Sequence, residues 1–405
     1  SYYLNLQKQE KNRTFLELQA SSDDPRLTSF DGISDVKASV KITKEFYWKR
    51  LSGQLSINYQ SAGEKNVDNS FLAYQFGDWN IRAGSIDQWW GPGQSSSLIL
   101  SNNTRPIPTV ALSRSSVVAS QSPWLSWMGP WYFTSQLGQL ESDRAVPDTK
   151  IVLNRFTFSP FERFEFGASW TAMWGGQGQP SGFGDFIDVI TLKAVCTGNR
   201  DFCGDEDLTK QGNHLAGFDI KYSFTIFERP VSVYAQRIGE DAAGTLNITD
   251  QASLFGVSTY FGNAKVHIET SDTNVSCGGN GSTATNCYYE NGIYSNGYRF
   301  RGRVIGSTFD SDAKQITVGA NLRLDGGAIA EIIIRKAELN PDGTKPSPVL
   351  TGDVTEDLLQ LSGFYQRPFK DWLLKVGGSI ESRQFVTRDN EVDGVLYFNV
   401  TYAFD

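Results

Sequence analysis

The chain has 405 residues, a net charge of −8 and an aromatic content of 13%. The acidic balance excludes the basic footprint of a nucleic-acid-binding protein, so we expect no nucleic-acid partner. The chain contains no run of 18 apolar residues, which excludes a helical membrane protein. It does not exclude a transmembrane β-barrel, whose strands hide their apolar content by alternation.

Alternation with a period of two is the dominant pattern, beginning at Thr14–Ala20 and clearest in Gln315–Leu324. Successive side chains of a strand point to opposite faces, so this pattern predicts strands with one apolar face. The candidate strands run to about ten residues, as a tilted membrane-spanning strand requires. We predict eighteen, near 1–8, 12–20, 36–46, 51–60, 69–77, 79–86, 127–137, 148–159, 161–173, 211–225, 229–239, 250–262, 264–272, 314–325, 327–338, 355–367, 371–384 and 392–404.

The connections between these strands are alternately short and long. Tight turns such as 77–79 and 325–327 alternate with polar stretches at 87–124, 138–148, 174–210, 273–313 and 339–354. Short turns on one rim and long loops on the other are typical of outer-membrane barrels. The predicted fold is therefore all-β: residues 1–405 form one transmembrane antiparallel barrel of about 18 strands, with 174–210 and 273–313 as long extracellular loops.

The first long connection, 87–124, is the natural candidate to fill so wide a barrel. It carries apolar residues of its own around Leu98–Leu100, which predicts a folded segment inside the lumen. Arg105 and Arg114 would then meet inward carboxylates such as Asp87 or Glu17. The alternative is an extracellular loop packed on itself.

The same segment holds the side chains that sugar binding needs: indole faces for C–H groups, and amides and guanidinium groups for hydroxyls and acids. They are Trp89, Trp90, Asn102, Asn103 and Arg105. The alternative is that these side chains hold the lumen-filling segment together, and that the Trp and other aromatic residues belong to membrane-interface girdles.

The connection at 174–210 begins with Trp174 and a Gly- and Pro-rich stretch. Residues 183–192 then have the pattern of a short helix, with Phe186, Ile187 and Ile190 on one side. This helix is a second candidate to plug or cap the barrel.

The four cysteines form two close pairs inside polar loops, Cys196 with Cys203 and Cys277 with Cys287. Two local disulfides in an oxidising compartment are the favoured interpretation. The alternative is a four-cysteine zinc site, but the spacings lack the usual zinc-site form.

Three arginines, Arg299, Arg301 and Arg303, alternate in the last long loop and are predicted to share one face of a strand-like run. On that face they would either hold an acidic sugar or pair with inward carboxylates such as Asp219, Glu240 and Glu269. Pairing is the default for an acidic chain.

Catalysis has little support in the residues. The histidines are His214 and His267, no G-x-S-x-G elbow exists, and paired carboxylates alone do not establish glycoside cleavage. The acidic loop 201–207 lacks regular calcium-ligand spacing. We expect no enzyme activity, no cofactor and no bound metal.

Several stretches resemble the Wzi capsule assembly family and keep its order: WWGPGQSSSLILSNNTRPIP at 89–108, SWTAMWGGQGQP at 169–180, LAGFDIKYSF at 215–224, VYAQRIGED at 233–241, HIETSDT at 267–273 and YSNGYRFRGRVIGSTFDSDA at 294–313. The resemblance implies an eighteen-stranded barrel with an obstructed lumen. It also implies lectin-like, non-catalytic retention of capsular polysaccharide at the cell surface. Family members usually carry an extra N-terminal segment; the numbering here is expected to start at or after a processing site.

The expected location is therefore the bacterial outer membrane. The expected partners are capsular polysaccharide, outer-membrane lipid and lipopolysaccharide, and we expect a monomer. A porin for small solutes or oligosaccharides is the alternative, since it shares the barrel but requires an open lumen.

Overall fold

The architecture is taken from a computed structural model, which describes residues 12–27, 37–61, 63–191, 212–240, 250–275, 287–343, 349 and 355–404. The strands of the first half are β1 Thr14–Ser21, β2 Ala38–Trp48, β3 Leu51–Gln60, β4 Lys65–Asn66, β5 Phe71–Phe76, β6 Trp79–Ser85, β7 Pro108–Arg114, β8 Trp131–Gln139, β9 Lys150–Phe158 and β10 Phe164–Trp174. Those of the second half are β11 Asn213–Ile226, β12 Arg229–Glu240, β13 Gln251–Phe261, β14 Ala264–Asp272, β15 Arg299–Phe300, β16 Arg303–Val304, β17 Ala313–Arg323, β18 Ile329–Leu339, β19 Glu356–Phe369, β20 Trp372–Phe385 and β21 Glu391–Phe404.

Eighteen of these strands form a closed antiparallel barrel. Each pairs with its neighbours in chain order, and β1 pairs with both β2 and β21, which closes the ring. The two-residue β4 adds to the edge of β3, and β15 pairs with β16 as a separate small hairpin inside the last long loop. The described residues also form one α-helix, α1 Phe183–Ile190, and 3₁₀ turns at Ser126–Met128 and Asp325–Gly327. No helix in the described ranges is long and apolar enough to cross a membrane.

The barrel wall is apolar outside and, where the loops do not pack against it, polar inside, the reverse of a soluble domain. On β17, Ile316 and Val318 are exposed on the outer face, whereas Gln315 and Thr317 on the inner face are buried. The alternation predicted for this stretch is confirmed. An outward apolar band is the surface that lipid covers in a transmembrane barrel.

The predicted strand count is correct, but one of its members is not. The segment 1–8 lies outside the described residues, and the eighteenth barrel strand is β7, which the prediction had placed inside the 87–124 loop. β7 pairs with β6 on one side and β8 on the other. The loop that enters the barrel therefore ends at 107, and the rest of 87–124 is strand β7 and the connection that follows it.

The chain direction sorts the connections onto two rims. One rim carries short turns such as 77–78 and 370–371. The other carries the long connections, including 86–107, 140–149, 175–212 and 273–312. The connection 115–130 is the long exception on the short-turn rim. Apart from 115–130, the long connections thus lie at one mouth of the barrel, as predicted.

Candidate functional site

The segment 86–107 folds inward from the long-loop rim and is anchored on one carboxylate. Glu269, on the inner face of β14, accepts hydrogen bonds from the backbone N–H groups of Gln94 (2.6 Å), Ser95 (3.2 Å) and Ser96 (2.9 Å). Its side chain also accepts from the Tyr234 hydroxyl at 3.2 Å. A buried carboxylate is stable only when such donors surround it, so Glu269 and the loop backbone stabilise each other.

A second anchor on the barrel wall holds the middle of the segment. The Gln236 side chain on β12 accepts from the Leu98 N–H and donates to the Trp90 carbonyl, both at 2.8 Å. The Trp90 N–H in turn donates to the Leu100 carbonyl at 2.9 Å, so the segment doubles back on itself. One wall side chain therefore fixes both arms of the loop.

Glycine on the wall makes room for this anchor. Gly256 lies opposite Tyr234 in the β12–β13 register, and a Cβ at Gly256 would come within 2.4 Å of three atoms of the tyrosine side chain. The Tyr234 ring therefore lies across the glycine backbone, where its hydroxyl reaches Glu269.

The last long loop covers this segment with buried tyrosines. The Tyr289 hydroxyl donates to the Leu98 carbonyl at 2.6 Å and the Tyr298 hydroxyl donates to the Ile99 carbonyl at 2.9 Å. Burial raises the pKa of Tyr289 well above its usual value, so the hydroxyl remains a donor. Residues 94–104 are thus held between the barrel wall below and residues 287–312 above.

The two loops share one hydrophobic core with the inner wall. Its central members are Trp90, Leu98 and Ile99 from the first loop, with Tyr288 and Val304 from the second. Leu153, Met173, Leu215, Ile238 and Leu254 supply the wall side. We call the two loops together, 86–107 and 287–312, the inner layer. The predicted folding of the first loop into the barrel agrees with these contacts.

Most of the predicted site residues have internal roles in the inner layer. Trp90 is buried in its core, and the Asn103 side chain donates to the Val304 carbonyl. Arg105 makes a bidentate pair with Asp68, with the nearer contact at 2.6 Å, and not with Asp87 or Glu17 as predicted. Asp68 lies in the connection between β3 and β5, beside the point where the chain leaves the inner layer, and is therefore the carboxylate within reach of Arg105.

The predicted shared face for the three arginines is wrong. Phe300-Arg301-Gly302-Arg303 forms a tight hairpin turn with positive φ at Arg301 (49°) and Gly302 (80°), the dihedral pattern of a type I′ turn. The turn sends the three side chains to different places.

Arg299 is buried against carboxylates. Its guanidinium lies 2.6 Å from Asp310 and 2.8 Å from Glu290. Burial alone would lower the pKa of Arg299, but these two carboxylates raise it above its usual value. Arg299 is therefore a structural ion-pair residue of the second loop, the role that the pairing alternative predicted, with partners other than the wall carboxylates named there.

Arg303 ties the inner layer to the 22–27 loop. Its guanidinium donates to the carbonyls of Pro25 (3.0 Å) and Arg26 (3.1 Å). The Arg26 guanidinium in turn forms ion pairs with Glu356 on β19 (2.7 Å) and Glu381 on β20 (3.0 Å). The inner layer is thereby braced against the far wall of the barrel.

Arg301 differs from its neighbours because its side chain is exposed. Its backbone N–H donates to Glu141, while its guanidinium has no carboxylate partner among the described residues. The Phe300 ring lies 5.6 Å away. The type I′ turn accounts for the positive φ and leaves the guanidinium of Arg301 open to contact from outside the barrel.

Loop 140–149 lies beside this hairpin at the long-loop rim. The buried Arg144 donates to the carbonyls of Arg299 (3.0 Å) and Gly297 (3.3 Å), and the Ala145 N–H donates to the Asn296 side chain (2.6 Å). The outward side chains of this surface include Asp143, Asn296 and Arg301. We call this the rim surface. It is the candidate functional site, with the inner layer as its support.

Two predicted site residues do not reach it. Arg114 lies on the outer face of β7 at the short-turn rim, where its guanidinium stacks 3.7 Å from the Trp131 ring. Trp174 also points outward, at the end of β10. Arg114 was predicted to lie in the 87–124 loop but belongs to β7, and Trp174 lies one residue beyond the predicted strand 161–173, at an outward position of β10. Trp89 and Asn102 are half-buried in the inner layer.

The helix predicted near 183–192 forms as α1, but it does not plug the lumen. Val189 and Phe186 pack against Val152, Ala172 and Trp174, which belong to the outer face of β9 and β10. Strand alternation supplies this outer surface. Met173 points into the barrel, so its neighbours Ala172 and Trp174 point outward, where α1 packs against them.

Of the four cysteines, the structure describes only Cys287, which is disulfide-bonded and whose sulfur lies 3.3 Å from the Val275 carbonyl oxygen. Cys196, Cys203 and Cys277 lie outside the described residues, as does the acidic stretch 201–207, so the pairing remains a prediction. In the described ranges, no group of three His, Cys, Asp or Glu residues is placed to hold a metal ion.

Comparison with known proteins gives one family. A family model described as "Capsule assembly protein Wzi" matches residues 7–395. An uncharacterized 55.8 kDa protein of the cps region of Klebsiella pneumoniae is 37% identical over 182 residues, which is 45% of this chain and 34% of that protein. The chain thus matches about a third of the length of this curated relative.

Solved structures give the same fold. A barrel from Escherichia coli, described as Wzi, an outer membrane protein involved in group 1 capsule assembly and a carbohydrate-binding β-barrel, aligns with a TM-score of 0.81 at 24% identity. The alignment covers 100% of this chain and 87% of that one. Pseudomonas aeruginosa OprD aligns with a TM-score of 0.54 at 9% identity, covering 98% of this chain and 95% of that one.

Proposed function

The chain belongs to the Wzi family of capsule assembly proteins, and on that premise we propose that it is an outer-membrane lectin that binds exported capsular polysaccharide and retains it at the cell surface. The short-turn rim would face the periplasm and the long-loop rim the outside, the orientation usual for such barrels. The rim surface then lies where an exported polymer arrives.

The observation that carries this proposal is the packing of the inner layer. Its backbone is bonded to Glu269 and Gln236 on the wall below and to Tyr289 and Tyr298 above. A layer held by several buried hydrogen bonds and a hydrophobic core stays in place, because each unmade bond would leave a buried polar group without a partner. We infer that this layer closes the lumen, which favours a binding surface over transport.

Retention of a polymer does not need a deep pocket. A repeating polysaccharide offers the same weak contact many times, and linked contacts sum to an avidity far above that of each one. A shallow rim surface with exposed polar groups such as Arg301 and Asn296 fits this mode. We also propose that Trp89 and Asn102, in the inner layer beneath the rim surface, contribute to polysaccharide binding.

The proposal is non-catalytic. The buried carboxylates nearest to the inner layer are engaged: Glu269 accepts from backbone amides, and Asp310 pairs with Arg299. A general acid or base must face its substrate within hydrogen-bonding reach, which these side chains do not. The porin alternative requires an open lumen, which the packing of the inner layer disfavours.

Arg301 provides the test of the binding surface. We expect Arg301→Ala to raise the Kd for capsular polysaccharide by roughly tenfold or more, because a charge-assisted hydrogen bond to a sugar acid or hydroxyl contributes about 1.5–3 kcal/mol. Arg301→Lys should recover part of the affinity if charge is what the polymer contacts. The measurement is surface plasmon resonance on the protein in lipid nanodiscs.

Arg323→Ala is the matched control, since Arg323 is an exposed arginine at the opposite rim. Its removal should leave the Kd unchanged. Equal binding by wild type and Arg301→Ala, with both proteins folded, would remove Arg301 from the proposed site.

A further inference from the structure

Arg114 is a charged side chain on the face of the barrel that meets lipid. It ends β7, and on the same outward face it follows Val110 and Leu112, which are 55% and 39% exposed. A charge on this face is costly in the middle of the bilayer and nearly neutral at its interfaces. Arg114 therefore marks the height at which the apolar band of the wall ends and the lipid headgroups begin.

The guanidinium of Arg114 is held flat against the wall. It stacks on the Trp131 ring at 3.7 Å, and its Nε donates to the Ser116 carbonyl at 2.7 Å. Trp79, which pairs with Arg114 in the β6–β7 register, packs edge-on against Trp131 with ring centroids 6.5 Å apart. These contacts fix the plane of the guanidinium, while its terminal NH₂ groups have no acceptor within the described ranges.

The surroundings of Arg114 supply few acceptors. The Trp131 Nε1 and the Ser116 hydroxyl are enclosed by protein, and neither has a hydrogen-bond partner in the part of the chain that the structure describes. Asp78, in the adjoining turn, contributes its backbone carbonyl, which accepts from the Ser115 N–H at 2.7 Å, and among the described residues it forms no ion pair with Arg114. A guanidinium with a fixed plane and free donors is suited to a phosphate, which accepts two parallel hydrogen bonds.

The long connection 115–130 forms the other side of this site. It folds back along the outer wall, where the Trp127 ring packs edge-on against Phe158 of β9 with centroids 5.7 Å apart. The chain approaches the wall most closely at Gly129, where any Cβ would collide with the Ser159 carbonyl oxygen. The exception to the short turns of this rim is thus an ordered segment that lies on the surface that lipid covers.

The aromatic rings continue from this site into the lipid-facing wall. Phe156 lies 6.0 Å from Trp131 and 5.6 Å from Phe158, and Phe158 lies 5.1 Å from Phe166 on β10. Tryptophan in such positions marks the membrane interface, where basic side chains attract phosphate-bearing headgroups. Because the site is continuous with the lipid-facing wall, a phospholipid is favoured over a soluble anion as the source of the phosphate.

We propose that Arg114 binds the phosphate of a phospholipid in the leaflet at the short-turn rim. The acyl chains would lie on the outward face of β7, along Val110 and Leu112, and the connection 115–130 would flank the headgroup. This role accounts for a long connection on a rim of otherwise short turns. The inference concerns the outside of the barrel and does not depend on carbohydrate binding at the rim surface.

Native mass spectrometry of the whole chain in detergent tests the proposal by counting bound lipids. The probes are dioleoylphosphatidylglycerol and dioleoylglycerol, which has the same acyl chains and no phosphate. Arg114→Gln is compared with wild type. Arg323→Gln is the matched control, because Arg323 is an exposed arginine at the same rim but on the inner face of β17. Heat-dependent gel mobility shows whether each variant is folded.

We expect Arg114→Gln to weaken the binding of phosphatidylglycerol roughly fivefold or more, because charge-assisted hydrogen bonds to the phosphate are lost. Arg323→Gln should leave this binding unchanged, and dioleoylglycerol should bind the wild type more weakly and be indifferent to Arg114→Gln. Equal binding of phosphatidylglycerol by wild type and Arg114→Gln would overturn the proposal. Displacement of the lipid by inorganic phosphate alone would also overturn it, since the site would then take a soluble anion.

Photolabelling of the wild-type protein provides a test that needs no variant. In lipid nanodiscs, a phosphatidylglycerol with a photoreactive group in its headgroup should label peptides from 114–131, and unlabelled phosphatidylglycerol should reduce this labelling. Labelling of other outer-wall peptides without 114–131 would contradict the proposal.

Discussion

Replacing Glu269 by alanine is expected to release the inner layer from the barrel wall. Three backbone N–H groups and the Tyr234 hydroxyl lose their acceptor in one step. Each buried donor left without a partner costs about 1–3 kcal/mol. We therefore expect the free energy of unfolding to fall by about 3 kcal/mol or more, and a barrel silent in planar bilayers to show large, frequent openings.

The unfolding is measured in lipid vesicles by denaturant titration, and the openings by single-channel recording. Glu165→Ala is the control, because Glu165 is an exposed glutamate near the short-turn end of β10. It should leave both measurements unchanged. A Glu269→Ala protein as stable and as silent as wild type would mean that this carboxylate does not hold the inner layer.

Trp90→Ala is expected to remove the largest side chain that the first loop contributes to the shared core. Trp90 is buried with Leu98, Tyr234 and Tyr289, and its backbone fixes the return of the loop. Truncating a buried tryptophan to alanine costs about 3–5 kcal/mol. We expect a loss of stability of that size, and weaker polysaccharide retention because the rim surface rests on this core.

Trp124→Ala is the control for this prediction, since Trp124 is 86% exposed at the short-turn rim. It should shift the melting temperature little, because exposed substitutions usually stay within about 0.5 kcal/mol. If Trp90→Ala changes neither the melting temperature nor the retention, Trp90 supports neither the inner layer nor the binding surface.

The barrel was predictable because its strands alternate over their whole length. One face must meet lipid and the other a polar interior, so a period of two persists for ten residues or more. β7 was not predicted because Ala111 is apolar and faces inward between Val110 and Leu112, which face out. An apolar residue at this inward position removes the alternation of apolar and polar residues, so the sequence of β7 resembles the apolar loop before it.

The residues of the site were predictable in type but not in role. Trp90, Asn103 and Arg299 have the side-chain types that sugar binding needs, but Trp90 and Asn103 contact residues far along the chain, at Gln236 and Val304. Arg299 forms ion pairs with Asp310 and Glu290, and the fold of the loop determines which carboxylates it pairs with. The turn that separates Arg301 from its neighbours had a local signal, since Gly302 interrupts the alternating run and supplies a positive φ.

Glu269 shows the limit of sequence reasoning most clearly. Its alternating strand placed it on the inner face, but nothing local indicated that Gln94, Ser95 and Ser96 would supply its donors. Those residues come from a loop about 175 positions earlier in the chain. Contacts of this separation depend on barrel closure, which sets the distance between the loop and β14.

The most direct test of the account is the binding of capsular polysaccharide by the wild-type protein in lipid nanodiscs. The polymer would be purified from the strain that carries this chain and compared with its single repeat units. We predict saturable binding of the polymer, with the repeat unit bound roughly 100-fold more weakly, because avidity supplies most of the affinity. A folded protein that binds neither, and that conducts steadily in a planar bilayer, would contradict the lectin and favour the porin.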